Sequence, residues 1–331
     1  MTLAHDHPGP GTTALVTAVA ALLTALVYLP AAGRLRRRGD AWPRWRDGSF
    51  GAGCAGVAWA TAGGLPGGPF TGHMVQHLVV GMAAPLLLVL ARPLTLALRT
   101  LAPGRARRVL LVLLHSRPVG LLAFPPLAAL LDVGGLWLLY RTTLFAATAH
   151  QPLLHGVVHT HMLAAGLLFS FALCRLDPVR RRWSLAVRGP VLLAVGAAHG
   201  LLARTLYALP PPGTGFTTAD LHRGAQVMYY GGDLVEAALA LVLGVGWYTA
   251  GGRARARQTR RPPRPGHSVS IERAQESRSR PARPVADCRA PRHRRATARR
   301  LTNPASRRLR TVPTPPLHRI ILQRVETVDA H

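Results

Sequence analysis

The sequence predicts an all-α fold, a polytopic membrane helix bundle of about seven transmembrane helices. Two observations predict it. Seven segments are apolar and long enough to cross a bilayer, and arginines are concentrated in alternate connections between them. The segments are residues 12–32, 50–66, 71–91, 118–140, 152–174, 188–209 and 225–249. They place a membrane domain at residues 1–250 and leave residues 251–331 as a separate tail.

The first three segments differ in how clearly they are defined. The first is preceded by Met1–Pro10, which contains no Lys or Arg, and Arg34 and its neighbours follow it. That order is the reverse of a cleavable signal, so the segment is predicted to remain as a helix. The second segment is short and ends among glycines, which weakens its boundary. The third continues from Leu78 to Ala91 without a charged residue.

The last four segments are each long enough to span and each carries polar residues among apolar ones. The fourth contains Asp132, and the fifth begins after Pro152 with several histidines. The sixth contains Arg204 and a lone histidine, and the seventh contains Asp233 and Glu236. Such side chains are rare at membrane depth, and they mark the interior of a bundle rather than its lipid-facing surface.

Charges in the six connections predict the orientation. The first, third and fifth connections are rich in arginine, whereas the second has none and the fourth and sixth have one each. By the positive-inside rule, the N-terminus is predicted to be outside and the C-terminus cytoplasmic. The rich connections contain Arg34, Arg36, Arg37, Arg38, Arg44 and Arg46, then Arg92, Arg99, Arg105, Arg107, Arg108 and Arg117, then Arg175, Arg180, Arg181, Arg182 and Arg188.

The tail at residues 251–331 has a different composition from the membrane domain. It contains 21 Arg and 10 Pro with few large apolar residues. Such a segment cannot bury enough surface to offset its ordering entropy, so it is predicted to be disordered and cytoplasmic. We expect it to lie near anionic membrane lipids and expect no specific nucleic-acid partner. The three cysteines, Cys54, Cys174 and Cys288, form no CxxC and indicate no disulfide framework.

Histidines are concentrated on one side of the predicted bundle. His73 and His77 open the third span four residues apart, so their side chains lie on one helix face. His155 and His159 repeat that spacing in the fifth span, and His161 follows. In the predicted orientation, all five lie in the outer half of the membrane. Ionisable side chains at this depth are candidate functional groups.

These histidines are candidate metal ligands. Imidazole suits copper, zinc, iron and nickel, and a thioether such as that of Met74 suits Cu(I). The outer half of the predicted bundle contains no cysteine, which favours copper over a thiolate zinc site. His199 in the sixth span is a further candidate ligand, with Met74. The alternative is structural: histidines hydrogen-bond between helices and methionine fills gaps in the core.

Four charged residues within the spans have two interpretations. Arg204 could form an internal ion pair with Asp132 or Asp233, which would remove the cost of isolated charges. Alternatively, carboxylates such as Glu236 could accept the free N–H of a ligand histidine and orient its ring. Arg204 could also extend to the outer surface.

The motifs of common enzymes are absent from the sequence. His73 and His77 do not form HExxH, because Met74 stands where the catalytic glutamate would be. The sequence contains no recognisable Ser-His-Asp set, phosphate-binding glycine loop or paired-carboxylate site. We therefore expect that the protein is not an enzyme.

Four stretches carry a resemblance to a known family. They are HMVQHLVVGMAAPLLLVLARPLTLALRTL (73–101), HSRPVGLLAFPPLAALLDVGGLWLLYRTTLF (115–145), HGVVHTHMLAAGLLFSFALCRLDP (155–178) and GGDLVEAALALVLGVGWY (231–248). Together they resemble the CtaG-like cytochrome c oxidase assembly factors, over roughly residues 12–250. The likeness is most specific in the third and fifth spans.

The resemblance implies a multi-pass protein of the bacterial cell membrane that helps to assemble haem-copper terminal oxidases of the respiratory chain. It implies terminal oxidase subunits as partners and copper as the metal handled. The histidine motifs of the family correspond to His73, His77, His159 and His161. Asp132 lies in a span that is usually apolar, and Asp233 stands where glutamate is more usual.

Two other functions remain open from the residues alone. In a haem-binding membrane cytochrome, histidines of two facing helices could ligate the iron. In a transporter or channel, Asp132, Arg204, Asp233 and Glu236 would line a path, although no inverted repeat is evident. A visible absorption spectrum would identify haem, and an ion-flux measurement would identify transport.

Overall fold

The computed structural model describes residues 12–178 and 183–259. Every regular element in these two ranges is helical, which confirms the predicted all-α class. The elements are α1 (Thr12–Arg37), α2 (Arg44–Ala62), α3 (Pro69–His77), a π-helical segment (Leu78–Ala83), α4 (Ala84–Leu90), α5 (Pro93–Thr100), α6 (Arg105–Leu114), α7 (Arg117–Leu122), α8 (Pro125–Arg141), α9 (Leu144–His150), α10 (Pro152–Cys174), α11 (Leu185–Ala208) and α12 (Thr218–Thr259).

Five helical stretches in the described ranges are long and apolar enough to cross a membrane. They are Leu15–Arg37, Pro69–Thr100, Pro152–Cys174, Leu185–Ala208 and Thr218–Gly252. A sixth is present if α8 and α9, which are bent by 76° to each other, form one span. The predicted segment 50–66 corresponds to α2, whose first turn carries Arg44, Arg46 and Asp47. The count of seven spans therefore remains a prediction, as does the orientation.

The predicted span 118–140 is divided into two helices. α7 ends at Leu122, and α8 begins at Pro125, which is followed by a second proline. Phe124 has an extended backbone, with φ −71° and ψ 118°. A residue that precedes proline is restricted to this region, because the proline ring collides with a helical backbone there. The two prolines therefore begin α8 anew.

Two apolar clusters follow one another along the same group of helices. Both contain residues of α8, α10, α11 and α12, joined by α3 in the first cluster and α4 in the second. The first includes Phe70, Met74, Tyr140, Met162, Leu202 and Met228, and the second includes Leu86, Ala128, Phe169, Val195 and Leu239. By chain position, His77 and His199 lie where the first cluster passes into the second.

α1 and α2 pack together beside this group. Their shared cluster includes Tyr28, Phe50 and Cys54, and it reaches Ala91 and Leu96 at the end of α4 and in α5. The Tyr28 hydroxyl donates to the Ala91 carbonyl oxygen at 2.8 Å, and its ring stacks on Phe50 at 3.9 Å. Cys54 and Cys174 are free and buried.

The predicted tail lies almost entirely outside the described residues. The last helix, α12, continues to Thr259, beyond the predicted end of the membrane domain at residue 250.

Candidate metal centre

α3, which carries His73 and His77, is fixed at its start by a residue of α12. Gly68 precedes α3 and has no side chain to cap it. The Asp220 carboxylate takes that role, since it accepts hydrogen bonds from the Phe70 N–H at 2.8 Å and the Thr71 N–H at 3.0 Å. A Cβ at Gly68 would collide with that carboxylate. A carboxylate on these free N–H groups also complements the positive end of the helix dipole.

A π-helical segment begins directly after His77 and spans Leu78–Ala83. Such segments insert an extra residue into a helix and are frequent at functional sites. The Gly81 carbonyl lies against α10 at Gly166, where a Cβ would collide with it. The α10 helix therefore approaches the segment closely at a glycine, as small residues allow between membrane helices.

An open cavity lies beside the histidines of α10. It has a volume of about 500 Å³ and is lined by residues of α1, α2, α3 and α10, among them Gln76, His155 and His159. We call it the vestibule. The His155 and His159 rings are tilted by 31°, with centroids 4.1 Å apart. The His159 Nε2 lies 2.9 Å from the Gln76 Oε1, and its Nδ1 lies 2.9 Å from the His155 carbonyl oxygen.

His73 joins the vestibule histidines to the interior of the bundle. Its ring centroid lies 6.1 Å from that of His159, and the two rings are nearly perpendicular. Its Nε2 lies 2.9 Å from the Tyr140 hydroxyl of α8. The two helices that carry histidines four residues apart, α3 and α10, therefore meet through His73 and His159.

His77 lies deeper and faces a different partner, His199 of α11. Each residue is only 2% exposed, and their ring centroids are 5.9 Å apart. The His199 Nδ1 lies 3.5 Å from the Glu236 Oε1 of α12. Both nitrogens of His77 and the Nε2 of His199 are buried without a hydrogen-bond partner. We call these three residues the buried imidazole pair and its carboxylate.

A second cavity, of about 270 Å³, reaches His77 from the side of α8 and α10. Asp132, His161 and Met162 also line it. The His161 Nε2 lies 3.1 Å from the Leu131 carbonyl oxygen, close to Gly135, where a Cβ would lie 2.6 Å from that nitrogen. His161 therefore faces α8, away from the other α10 histidines, as its sequence offset from His159 indicates.

Three of the predicted site residues lie apart from these groups. Met74 is fully buried in the first apolar cluster, beside Phe70. Arg204 is exposed and donates to the Tyr229 hydroxyl at 3.3 Å. Asp233 is exposed on α12. In the ranges that the structure describes, Arg204 forms no ion pair with Asp132 or Asp233, and of the carboxylates considered only Glu236 reaches a histidine.

The described residues contain no cluster of three or more His, Cys, Asp or Glu side chains placed to hold one metal ion. What they contain is a set of neighbouring imidazoles at two depths. The first set is open to the vestibule, and the second is the buried imidazole pair. The arrangement places imidazole nitrogens one after another from a cavity to the interior.

Sequence reasoning missed three residues of the site: Gln76, Tyr140 and Asp220. Gln76 lies within the HMVQH motif on the histidine-bearing helix, and its place between the two histidines could have indicated that it belongs to the site. Tyr140 and Asp220 contact that helix from positions 67 and 149 residues along the chain from their partners. No local pattern links residues so far apart.

Comparison with known proteins shows which family the chain belongs to. The family model of the cytochrome c oxidase caa3 assembly factors matches residues 26–250. The chain belongs to this family. The resemblance seen in the sequence is thereby confirmed, and the match covers the described helices from the middle of α1 to the seventh predicted span.

This assembly-factor family member is also similar to curated mycobacterial proteins. It is 33% identical over 225 residues to uncharacterized proteins of Mycobacterium bovis and Mycobacterium tuberculosis, which covers 62% of this chain and 34% of each relative. It is 30% identical over 217 residues to an uncharacterized protein of Mycobacterium leprae, which covers 62% of this chain and 32% of that relative. The chain spans about a third of the length of these relatives. No solved structure matches it.

Proposed function

We propose that this protein assists the assembly of a haem-copper terminal oxidase by accepting copper at its vestibule and passing it to an oxidase subunit. The observation that carries the proposal is the row of imidazoles formed by His155, His159 and His73. Their successive ring centroids are 4.1 Å and 6.1 Å apart, and the row begins in an open cavity. Family membership supplies the oxidase as the partner.

The donor set suits transfer rather than permanent storage. Imidazole binds copper, and no thiolate is present in the vestibule to hold the ion tightly. The His159 ring lies within hydrogen-bond distance of two oxygens, the Gln76 Oε1 at its Nε2 and the His155 carbonyl oxygen at its Nδ1. A neutral imidazole carries one proton, so a hydrogen bond to one of these oxygens leaves the other nitrogen able to bind the ion.

We also propose that the vestibule opens on the outer side of the membrane. Val16, Gln76 and His155 line it, at the ends of their helices. The ion pairs Arg36–Asp47 and Arg99–Asp40 involve the opposite ends of α1 and of the span that begins with α3. Arginine-rich ends lie in the cytoplasm by the positive-inside rule, so the histidine-bearing ends face outward. Seven spans, with α2 as the second, accommodate this orientation.

The protein is proposed to act by binding and not by catalysis. Its copper is cargo, and its partners are oxidase subunits within the lipid bilayer. No step requires a bond in a substrate to break. This proposal extends the family's role in assembly to the residues that would handle the metal.

The test is genetic and uses oxidase activity in membranes as the readout. Deletion of the gene is expected to lower activity, and added copper is expected to restore part of it. His159→Ala is expected to reproduce the deletion, whereas His150→Ala, a change at an exposed histidine of α9, is expected to behave as wild type.

Three outcomes would contradict the proposal. Full oxidase activity in the deletion strain would remove the assembly role. A loss of activity in an oxidase that still contains its full copper would remove the copper role. A haem absorption band in the purified protein would identify a cytochrome instead.

A further inference from the structure

The buried imidazole pair has a feature that its packing alone does not explain. Three ring nitrogens, two on His77 and the Nε2 of His199, are buried without a hydrogen-bond partner. Buried polar atoms are nearly always paired, because an unpaired one forfeits its bond to water without replacement. Each neutral imidazole has one nitrogen with a free lone pair, so two neighbouring rings with unpartnered nitrogens are suited to a ligand that accepts electron pairs.

Glu236 and two glycines give the pair a defined arrangement. The Glu236 carboxylate lies 3.5 Å from the His199 Nδ1, so it favours a proton on that nitrogen and leaves the Nε2 as a bare lone pair. A Cβ at Gly232 of α12 would collide with the His199 ring. A Cβ at Gly196 of α11 would collide with the Glu236 carboxylate. The two glycines thus leave the space that the side chains of His199 and Glu236 occupy.

We infer that His77 and His199 bind one Cu(I) ion between them in two-coordinate geometry, with Glu236 as the positioning residue. A metal–imidazole bond is about 2.0–2.1 Å long, so an ion between two facing rings separates their centroids by roughly 6 Å. The observed separation is 5.9 Å. This inference rests on the proposed function, and it adds the oxidation state and a second site within the bundle.

Charge and coordination number select Cu(I) over divalent ions. Zn²⁺ requires four ligands in most protein sites, and the described residues offer no group of that size. Cu(I) is a d¹⁰ ion that accepts two opposed nitrogen donors. Its single positive charge is balanced by the Glu236 carboxylate, whereas a divalent ion would leave a net charge in a low-dielectric interior.

The second cavity provides access to the pair. His77 borders it together with Asp132, His161 and the thioether of Met162, which is buried. A soft thioether and a carboxylate along this path are suitable transient contacts for a soft cation. His77 therefore lies at the boundary between a cavity and the interior, and His199 lies beyond it.

The test is Cu(I) binding by the purified full-length protein in detergent, measured by competition with a chromogenic Cu(I) chelator. X-ray absorption of the bound ion gives its coordination. Wild type is expected to show a two-coordinate ion with nitrogen scatterers only. His77→Asn and His199→Asn are each expected to weaken binding at least a hundredfold, and Glu236→Gln about 10- to 100-fold. His150→Asn serves as the matched control, with unchanged binding.

A substitution of one ligand for another distinguishes loss of the site from loss of the fold. His77→Met keeps a soft donor and is expected to retain Cu(I) with one sulfur and one nitrogen scatterer. A bound ion that has three or more ligands in wild type, or that shows no sulfur in His77→Met, would overturn the inference. So would Cu(I) binding that survives both Asn substitutions in a His155→Ala/His159→Ala background, which removes the vestibule ligands.

The two proposals fail in different ways. If the deletion strain keeps full oxidase activity while the purified protein binds two-coordinate Cu(I), the assembly role fails and the site stands. If oxidase activity depends on the gene and on His159 but no two-coordinate Cu(I) forms, the proposed function stands and the buried site fails.

Discussion

The Asp220 carboxylate binds Thr71 twice: the Thr71 N–H donates to the Asp220 Oδ1 at 3.0 Å, and the Thr71 hydroxyl donates to the same atom at 2.6 Å. The two residues are 149 positions apart. The contact joins the start of α12 to the start of α3, two residues before His73 and six residues before His77. It therefore fixes the height of the histidine-bearing helix within the bundle.

Asp220→Ala is expected to destabilise the protein by about 1–3 kcal/mol, because it leaves buried donors of Phe70 and Thr71 unpaired. The loss should appear as a lower thermal midpoint of the helical circular dichroism signal in detergent. Asp233→Ala, at an exposed position of the same helix, is the control and should leave that midpoint unchanged. Equal midpoints for Asp220→Ala and wild type would show that the contact contributes nothing.

Gly166→Ala is expected to disrupt the close approach of α10 to the π-helical segment. The added methyl group would collide with the Gly81 carbonyl, and neither backbone can move without shifting its helix. Overpacking of this kind costs about 1–3 kcal/mol. Gly244→Ala, where the methyl group meets open space in α12, is the matched control. Thermal unfolding of the two variants compares them directly, and a similar midpoint for both would contradict the packing argument.

Tyr140→Phe is expected to remove the hydrogen bond to His73 and to retain the ring packing. The cost should be about 1 kcal/mol, since the His73 Nε2 then lacks its partner at 2.9 Å. A double-mutant cycle with His73→Ala isolates this contact, and it should give a coupling free energy of similar size. Tyr207→Phe, at an exposed tyrosine, is the control. A coupling indistinguishable from zero would mean that the hydrogen bond does not contribute.

His155→Cys is expected to react with a membrane-impermeant maleimide in intact cells, because the side chain is exposed at the vestibule and the proposed orientation places it outside. The test requires a background in which Cys54, Cys174 and Cys288 are replaced. Ala102→Cys, exposed between α5 and α6, should react only after lysis. The reverse pattern would invert the orientation.

The sequence predicted the positions of the spans better than the local irregularities within them, such as breaks and π-helical turns. Length and apolarity were sufficient for α1, α10 and α11, because a span must exclude water over its whole length. The division at Pro125 followed from local chemistry that the apolar pattern concealed. The π-helical segment after His77 had no signal of its own, because its extra residue is apolar like its neighbours.

The sequence named the candidate histidines but did not predict which of them meet. His73 lies beside His159, whereas His77 lies beside His199, which in turn lies near Glu236. Residues at i and i+4 share a face, but the rotation of that face toward one neighbour or another depends on packing. The hydrogen bond from Arg204 to Tyr229 likewise depends on how the helices pack.

By itself, the sequence determined that this protein is helical, that its arginines and histidines separate to opposite ends of its spans, and that it belongs with the oxidase assembly factors. These properties are additive along the chain: each depends on composition, on spacing within one helix, or on motifs of a few residues. Only the tertiary structure decided which imidazoles meet, that Asp220 holds the helix of His73 and His77, and that His77 and His199 are buried with unpaired nitrogens. Those relationships join residues more than eighty positions apart, and they arise from helix rotation and close packing at glycines, which no local pattern encodes.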